Sequence, residues 1–271
     1  MNFLKILVSK TINLFYINYR YFRDLKDFSS FIKVKTNFEF EMFFFKKPKN
    51  LSIVAKIETD VVKKLVSNYD NFIDIGAFVG FFSLFAKKIK SNINIYCFEA
   101  NIKNYNLLLK NLKLNNAFKY NAHNVALSNK NQISFLYGSG QGSSLIKGWG
   151  NIITYKKKVK SVTFDDYILP KIPKESLFIK IDVEGYEYQL FEGATQGLQK
   201  LVNICIFFEN GISKNFKNKN LNYIKIFNLL KKYNFKIYNI RDLKNELVIQ
   251  DLIKRYNEDN EFENFNFVAI K

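Results

Sequence analysis

Short apolar segments alternate with amphipathic segments from residue 71 onward, and this alternation restricts the fold more than any other feature. The first pair is NFIDI (71–75), typical of a buried strand, and FFSLFAKKI (81–89), whose apolar face and terminal lysines favour a helix. The next pair is NINIYCFEA (92–100) and NYNLLLKNLKLNN (104–116), with leucines at helical spacing. Strands and helices at this spacing predict βαβ units around a mostly parallel sheet.

The alternation continues to the end of the chain. We predict further strands at 119–127, 131–138, 159–164, 176–183, 203–209, 235–240 and 265–270, and further helices at 184–194 and 220–233. The last two strands are predicted to form an antiparallel edge pair, which is common on sheets of this class. The expected fold is therefore α/β.

The first 68 residues follow a different pattern. VKTNFEFEMFFFKK (34–47) alternates like a strand or a hairpin, and LSIVAKIETDVVKKLV (51–66) is helical. No Gly-, Ser- or Pro-rich linker marks a boundary, and no internal repeat is visible. We therefore predict an N-terminal α/β cap, residues 1–68, packed on a main domain of residues 69–271.

The N-terminal segment MNFLKILVSKTINLFYINYRYF has apolar residues at helical spacing, interrupted by Lys5, Lys10 and Arg20. These charges argue against a membrane span, and the segment has no small-residue cleavage site. We predict an amphipathic helix packed on its own domain. The alternative is a helix that lies on a membrane surface through residues 1–28.

The chain is strongly basic: 42 Lys and Arg against 24 Asp and Glu give a net charge of +18. Such a field attracts nucleic acid, a lipid surface, or small molecules with phosphate or carboxylate groups. Abundant Lys, Asn, Ile and Phe also fit a biased genome, so composition alone is an equal explanation. Cys97 and Cys205 lie in apolar segments and predict reduced, buried residues of a cytoplasmic protein. With His123 as the single histidine and no C-x-x-C, no zinc spacing exists.

A glycine turn follows the first predicted strand and opens the first predicted helix. Asp74, Gly76 and Gly80 form the pattern D-x-G-x-x-x-G. Glycine at the end of a strand lets the backbone turn tightly and approach a ligand. Glu99 stands nineteen residues after Gly80, at the end of the next strand, where a carboxylate can bind both hydroxyls of a ribose. The pattern predicts a cofactor that contains a nucleoside.

The spacing of the glycines selects among such cofactors. G-x-G-x-x-G, the nicotinamide dinucleotide fingerprint, is absent. Short-chain dehydrogenases tolerate G-x-x-x-G but need a Tyr and a Lys one helical turn apart, and Pro170 lies inside the only such pair, Tyr167 and Lys171. D-x-G-x-x-x-G with an acidic strand end instead suits S-adenosylmethionine, which has a ribose and no phosphate.

A second group of carboxylates lies in KIDVEGYE (180–187), at the end of a central predicted strand. The carboxyl ends of strands line the ligand crevice of such sheets, so Asp182 and Glu184 are predicted on the same edge as Asp74 and Glu99. If the strand extends that far, alternation puts Asp182 and Glu184 on one face. The alternative is that Glu184 only favours the N-terminus of the following helix.

Glu209 ends the next predicted strand, and Asn210 follows it. With Asp182, these oxygen ligands would converge from adjacent strand ends, and they are hard enough for Mg or Mn. An equally good alternative is that Glu209 binds backbone amides or a lysine.

These motifs, in this order, resemble the FkbM-type S-adenosylmethionine-dependent methyltransferases. The resemblance runs from about residue 71 to residue 210 and leaves out residues 1–68 and the tail. FEAN and TFDDY depart mildly from the family's common FEPN and TLDDY. The motifs that carry the resemblance are FIDIGAFVGFFS, CFEAN with NLKLNN, NVALS (124–128), SVTFDDY (161–167), KIDVEGYE, FEGA (191–194) and the strand that ends in Glu209.

The resemblance implies a class I methyltransferase fold: a Rossmann-like, doubly wound, mostly parallel seven-stranded sheet with an antiparallel edge strand. It implies that Asp74, Gly76 and Gly80 shape the methionine side of the cofactor site and that Glu99 holds the ribose. The implied cofactor residues are Asp74, Gly76, Ala77, Phe78, Gly80, Glu99, Ala100, Asn101, Val125, Ala126 and Asp182.

The resemblance also implies which residues lie near the adenine, the transferred methyl group and the acceptor. Val125 and Ala126 would border the adenine, and Asp182 would stand near the transferred methyl group. The loop 138–150, which holds 5 of the 11 glycines, is predicted to be a mobile lid on the acceptor side. The predicted acceptor contacts are Ser143, Ser144, Trp149 and Lys180.

Methyl transfer from a sulfonium is an in-line displacement, and a sugar hydroxyl must lose its proton to a base or to a metal that acidifies it. Asp182 is the predicted base or metal ligand, with Glu184 and Glu209 behind it. His123 is the alternative base. The predicted cofactors are S-adenosylmethionine and a divalent cation, Mg or Mn.

The predicted function is O-methylation of a sugar, a nucleotide sugar or a precursor of a surface polysaccharide (capsule or lipopolysaccharide), by a cytoplasmic enzyme with an anionic small-molecule acceptor. One alternative is an RNA methyltransferase, suggested by the charge; the other is a non-enzymatic basic protein at the inner face of a membrane. No Pro-Pro pair is present and neither cysteine follows a proline, which argues against amino- and C5-methylating nucleic-acid enzymes. The sequence predicts no oligomeric state.

Overall fold

The computed structural model describes residues 31–45, 56–117, 120–138, 140, 142–149, 156–212 and 220–271. The strands in these residues are β1 (Ile32–Lys35), β2 (Glu41–Phe44), β3 (Asn71–Ile75), β4 (Asn94–Phe98), β5 (Tyr120–His123), β6 (Ala126–Leu127), β7 (Gln132–Tyr137), β8 (Lys156–Val162), β9 (Leu177–Ile181), β10 (Ile204–Glu209), β11 (Lys236–Asn239) and β12 (Asn266–Ile270). The helices are α1 (Lys56–Leu65), α2 (Phe81–Ile89), α3 (Ile102–Leu114), α4 (Glu187–Glu192), α5 (Thr195–Lys200), α6 (Tyr223–Lys232) and α7 (Ile249–Asn257), with a π-helix at Phe164–Ile168.

Seven strands form the central sheet, in the order β11-β12-β10-β9-β3-β4-β5. β10, β9, β3, β4 and β5 pair in parallel, which confirms the mostly parallel seven-stranded sheet. β11 and β12 pair antiparallel at the edge of the sheet, which confirms the predicted antiparallel edge pair, and β12 also runs antiparallel to β10. The chain leaves β3 toward β4 and β5 and later returns to β9 on the other side. The β3–β9 boundary is therefore the switch point at which ligand crevices form in such sheets.

The two central strands owe their position to their composition. Every residue of β3 (NFIDI) and β9 (LFIKI) is buried, as suits parallel strands covered on both faces. Phe72 and Phe178 stack in one core cluster, whereas Ile73 and Ile179 belong to the cluster on the opposite face. Burial of each such side chain contributes about 1.5–3 kcal/mol, so these strands give a firm support to the groups at their carboxyl ends.

The segment predicted as one strand, 119–127, forms two strands. Asn124 interrupts it, because its Nδ2 donates to the carbonyls of Glu99 at 2.7 Å and Ala100 at 3.0 Å and so ties the chain to the end of β4. β6 then leaves the central sheet for a smaller one of order β6-β8-β7. The sequence pattern also missed α5 and α7, which are short and mostly polar.

β1 and β2 pair antiparallel, which confirms the hairpin predicted around 34–47. Asn111 of α3 fastens this hairpin: its Oδ1 accepts from Phe43 N at 2.7 Å, and its Nδ2 donates to Phe43 O at 3.0 Å and Val79 O at 2.8 Å. Apolar residues of β2 and α1 share a core cluster with α2 and α3. The helix predicted in residues 1–28 lies outside the described residues, and no helix within them is long and apolar enough to cross a membrane.

Candidate active site

A cavity of about 600 Å³ opens at the carboxyl edge of the sheet, beside the switch point. The residues that follow β3, β4 and β9 line it, together with Leu136 of β7 and part of the loop after β7. Volumes of this size are typical of sites for cofactors and other small molecules. The cavity therefore lies where the glycine turn and both groups of carboxylates were predicted to meet.

The glycine turn after β3 brings two strand ends into contact. Gly76 N and Ala77 N donate to the carbonyl of Phe98 at 2.8 and 3.1 Å, which ties the turn to β4. Gly76 has a φ of +78°, and a Cβ there would lie 1.8 Å from the carbonyl oxygen of Asp182. Glycine is required at this position for its conformation and for its lack of a side chain. Gly80 is the N-cap residue of α2.

Glu99 is a buried carboxylate at the end of β4 that organises the turn. Its Oε2 accepts from Phe78 N at 2.8 Å, and its Oε1 accepts from Asn101 N at 2.8 Å and from Asn104 Nδ2 at 3.3 Å. Burial raises the pKa of Glu99 to about 7 in spite of these donors. Oε2 accepts only one of these bonds and keeps a free lone pair, so it can also accept from a hydroxyl group in the cavity.

Two acceptor atoms at the cavity wall are buried without a hydrogen-bond partner in the described part of the chain. Asp74 accepts from Ser83 Oγ at 2.6 Å through Oδ2 and leaves Oδ1 unpartnered. Asn104 uses its Nδ2 donors and likewise leaves Oδ1 unpartnered. Burial raises the pKa of Asp74, although the charge of Lys180 counteracts it. Buried acceptors of this kind are costly unless a bound molecule donates to them.

Lys180 and Asp182 form an ion pair at the end of β9. Lys180 is 4% exposed, and its Nζ lies 3.2 Å from Asp182 Oδ2 and 4.9 Å from the ring centroid of Phe82. Burial by itself would lower the pKa of Lys180, but the carboxylates of Asp182 and Asp74 outweigh it and raise the pKa. Lys180 is therefore a cation at neutral pH, whereas the Asp182 side chain remains 41% exposed.

The chain turns away from the sheet directly after β9. Glu184 has a φ of +55° and Gly185 a φ of +88°, and α4 begins only at Glu187. The helix predicted from residue 184 is therefore shorter than expected. The condition for a common strand face of Asp182 and Glu184 is not met, because β9 ends at Ile181; both side chains nevertheless line the cavity.

Glu184 fastens the glycine-rich loop after β7. Its Oε2 accepts from Trp149 Nε1 at 2.9 Å, and its carbonyl accepts from Ser144 Oγ at 2.8 Å. Gly185 leaves space for the indole, since a Cβ there would lie 2.3 Å from Trp149 Cζ3. The positive φ of Glu184 is unusual for a residue with a side chain, and such conformations cluster at functional sites. The described part of this loop therefore lines the cavity and is bonded to the segment that carries Asp182.

A family model, the Methyltransferase FkbM domain, matches residues 74–237 of this chain. The chain belongs to the FkbM methyltransferase family. The match contains the glycine turn, Glu99 and the Lys180–Asp182 pair, and it confirms the resemblance carried by the motifs. Members of the family are S-adenosylmethionine-dependent methyltransferases, so a site for that cofactor is implied.

Solved structures of methyltransferases share parts of this architecture. Methyltransferase FkbM from Methylobacillus flagellatus KT is 12% identical with a TM-score of 0.48, and the match covers 75% of this chain and 44% of that chain. Precorrin-6y C5,15-methyltransferase from Geobacter metallireducens GS-15 is 12% identical with a TM-score of 0.45, over 83% of this chain and 92% of that chain. TYW2 of M. jannaschii in complex with AdoMet is 12% identical with a TM-score of 0.48, and the match covers 88% of this chain and 84% of that chain. A comparison with curated proteins found no match.

The cavity of this FkbM methyltransferase fits S-adenosylmethionine. Glu99 presents Oε2 as an acceptor at the strand end where ribose hydroxyls bind in folds of this class. The unpartnered oxygens of Asp74 and Asn104 match a ligand that carries an amine and hydroxyl donors. Val125 and Ala126 add apolar surface to the wall, as a purine ring requires.

The structure divides the predicted site residues of the FkbM methyltransferase into two groups. Gly80, Asn101, Ser144 and Trp149 lie outside the cavity wall, and Asn101, Ser144 and Trp149 reach the site through hydrogen bonds to residues that line it. The predicted residues that line the cavity are Asp74, Gly76, Ala77, Phe78, Glu99, Ala100, Val125, Ala126, Ser143, Lys180, Asp182 and Glu184.

Sequence reasoning missed several residues of the wall. Phe82 and Asn104 lie in the first turns of α2 and α3, directly after recognised motifs, so a helical projection of these turns could have found them. Phe44 and Phe45 come from the N-terminal hairpin, and no sequence signal connects that hairpin to the cavity. Tyr186 lies in the turn after β9.

His123 is not retained as a candidate base. It lies on β5, outside the cavity wall. Its Nδ1 is 3.2 Å from Tyr167 Oη, and its ring stacks on Phe98 with centroids 5.2 Å apart. Burial and the charge of Lys171 lower its pKa. These contacts give His123 a place in the packing at the sheet edge.

The predicted metal trio of Asp182, Glu209 and Asn210 is not assembled. Asn210 Nδ2 donates to the carbonyl of Tyr223 at 3.0 Å, and Asn210 Oδ1 accepts from a neighbouring amide, so its side chain is used in the fold. Burial, then the charges of Asp182 and other nearby acids, raise the pKa of Glu209 to about 9. Within the described residues, no group of three His, Cys, Asp or Glu side chains could hold a metal ion.

Glu187 supports the turn after β9, and its ionisation makes stability depend on pH. Its Oε1 accepts from Val183 N at 3.1 Å and Gly185 N at 3.2 Å. Burial raises the pKa of Glu187 to about 7, from 4.5 in the unfolded chain. The folded state therefore holds the proton more tightly, and the associated stability, present below pH 4.5, is lost as pH rises through about 7.

We expect Glu187→Gln to be as stable as the wild type near pH 4.5, and more stable by on the order of 3 kcal/mol above about pH 8. Glutamine can accept the same two backbone hydrogen bonds but never ionises. Urea unfolding across this pH range measures the difference. Glu192→Gln, an exposed change on the same helix, is the matched control and should show no such divergence. A constant offset between Glu187→Gln and wild type at every pH would contradict the prediction.

Proposed function

We propose that this FkbM methyltransferase transfers a methyl group to a hydroxyl oxygen of a sugar, a nucleotide sugar or a precursor of a surface polysaccharide. The observation that carries the proposal is the Lys180–Asp182 pair at the cavity wall, in which a buried lysine holds one oxygen of a carboxylate. A hydroxyl is a poor nucleophile at neutral pH, so an oxygen acceptor needs a positioned base.

The chain supplies binding groups and a base. S-adenosylmethionine, when bound, supplies a methyl group on a positively charged sulfur. Glu99 and the adjacent Asn104 Oδ1 would accept hydrogen bonds from the ribose, and Asp74 would accept from the methionine end. Lys180 Nζ holds Asp182 Oδ2 at 3.2 Å, and we assign Asp182 Oδ1 as the atom that takes the proton of the acceptor hydroxyl. Fixing this carboxylate beside the cofactor site favours the in-line geometry of methyl transfer.

The remaining cavity wall suits a ring-shaped, anionic acceptor. Phe44, Phe45, Phe82 and Tyr186 line the cavity and give flat apolar surface on which the C–H face of a sugar can stack. The net charge of +18 favours approach of phosphate-bearing molecules, whereas Lys180 at the same wall is already paired with Asp182. Since two of these rings belong to the N-terminal hairpin, the hairpin would take part in choosing the acceptor.

Two measurements test the proposal. Isothermal titration calorimetry with S-adenosylmethionine tests cofactor binding, and transfer of labelled methyl groups to a panel of nucleotide sugars tests the acceptor class. Each acceptor is assayed with Mg, with Mn and with a chelator, which decides whether a cation takes part. We expect cofactor binding and a new methoxy group on at least one sugar. Transfer to RNA with none to sugars would establish the nucleic-acid alternative, and lack of cofactor binding would contradict both.

A further inference from the structure

β7 and β8 form an antiparallel ribbon with two different faces. In such a pair, directly opposed residues lie on the same face, and Ile133 is opposed to Lys160, as Phe135 is to Lys158. We call the outward side the basic ribbon face. It consists of Ile133, Phe135 and Tyr137 from β7 and Lys156, Lys158 and Lys160 from β8.

The basic ribbon face is exposed although it carries large apolar side chains. Ile133 is 66% exposed and Phe135 is 40% exposed, and the three lysines beside them are exposed as well. The other face of the ribbon is packed, since Leu136 and Ser161 are 5% and 0% exposed. The outward apolar side chains therefore contribute little to the core, and such surface marks an interaction site.

The segment of chain that carries this face contains no acidic residue. No Asp or Glu occurs between Glu99 and Asp165, a stretch that contains ten lysines. Among the described residues, the ion pairs do not include the three lysines of the basic ribbon face. Lys156 Nζ instead lies 4.4 Å from the ring centroid of Phe135. The face thus combines positive charges with apolar side chains that project from the same side of the ribbon.

We propose that the basic ribbon face docks on the surface of an anionic lipid bilayer. Lysines at such a surface are attracted by the headgroup phosphates, while Ile133 and Phe135 can enter the boundary between headgroups and acyl chains. Single-stranded nucleic acid would be held by aromatic stacking on a positive groove. The most exposed apolar residue here is the aliphatic Ile133, which has no ring to stack.

Docking would bring the cavity to the headgroup layer. Leu136, on the packed face of the same ribbon, lines the cavity, and the loop that contributes Ser143 and Leu145 to the cavity wall follows β7 directly. Only the β7–β8 ribbon would then separate the site from a saccharide attached to a lipid of the bilayer. This consequence rests on the proposed function, whereas the docking itself does not.

Flotation of the full chain with vesicles tests the docking. We compare phosphatidylcholine vesicles with vesicles that also contain about 30 mol% phosphatidylglycerol, at low and at physiological salt. The wild type should float only with the anionic vesicles. The triple variant Lys156→Gln, Lys158→Gln, Lys160→Gln should partition on the order of 100-fold less, at about fivefold for each lysine. The double variant Ile133→Ser, Phe135→Ser should still bind anionic vesicles at low salt. It should lose the binding that remains at physiological salt, because that part depends on apolar contacts.

The matched control carries the same change in charge at the β11 edge of the sheet. It is the triple variant Lys232→Gln, Lys236→Gln, Lys254→Gln, three exposed lysines on α6, β11 and α7, and it should partition like the wild type. Equal losses in both triple variants, or none in the first, would overturn the proposal. So would tighter binding to an RNA oligonucleotide than to vesicles, lost in the first triple variant. Calorimetry with S-adenosylmethionine on the same samples reports on the proposed function separately.

Discussion

Asp182→Asn is expected to lower kcat for methyl transfer by about 10²- to 10⁴-fold and to leave the affinity for S-adenosylmethionine nearly unchanged. Asparagine keeps the size of the side chain, and its oxygen can still accept from Lys180 Nζ, which lies 3.2 Å from the native carboxylate. An amide cannot take the proton of a hydroxyl, so binding survives and transfer does not. Single-turnover methylation at saturating acceptor, together with calorimetry, measures the two effects separately.

The control for this variant is Asp251→Asn, which removes the same charge from an exposed position on α7, far from the cavity wall. It should behave as the wild type in both assays. Full activity in Asp182→Asn would remove Asp182 from the mechanism. An equal loss of cofactor affinity and of kcat/KM, with kcat preserved, would make Asp182 a cofactor ligand and not the base.

Glu99→Ala is expected to weaken the binding of S-adenosylmethionine by about 100-fold or more and to destabilise the fold by several kcal/mol. The carboxylate accepts from Phe78 N, Asn101 N and Asn104 Nδ2, and each buried donor left without an acceptor costs about 1–3 kcal/mol. The turn after β3 and the start of α3 would both loosen. Calorimetry and urea unfolding give the two values.

A second variant separates binding from folding. Glu99→Gln keeps the volume and one acceptor oxygen, so it should remain folded and bind the cofactor about tenfold more weakly than the wild type. Glu175→Ala, at an exposed position before β9, is the matched control for the alanine variant and should change neither quantity. Wild-type affinity in folded Glu99→Gln would show that the carboxylate organises the turn without touching the cofactor.

The features that could be predicted are those encoded within one short segment. NFIDI and FFSLFAKKI were predicted with the bounds that β3 and α2 have, because two-sided burial and helical periodicity are properties of consecutive residues. The position of Glu99 followed from its distance to Gly80 along the chain. The mostly parallel sheet followed from the order of these segments, since parallel strands need crossover helices between them.

Other features depend on residues far apart in the chain. β9 ends before Asp182 and Glu184 can share a strand face, and Glu184 has a positive φ with contacts to Trp149 and Ser144. His123 has the chemistry of a base, yet the register of β5 places it beside Tyr167. No local pattern encodes either contact.

The class of chemistry of this protein could be predicted from its sequence, whereas the arrangement of the residues in its site could not. The glycine turn, Glu99 and KIDVEG identify an FkbM methyltransferase, because the backbone conformation and acidic strand ends that the cofactor requires are specified locally. Folding alone decided that Gly76 touches the carbonyl of Asp182 and that a phenylalanine-rich hairpin lines the cavity. Such contacts arise when side chains from distant segments compete for the same space, which spacing along the chain does not record.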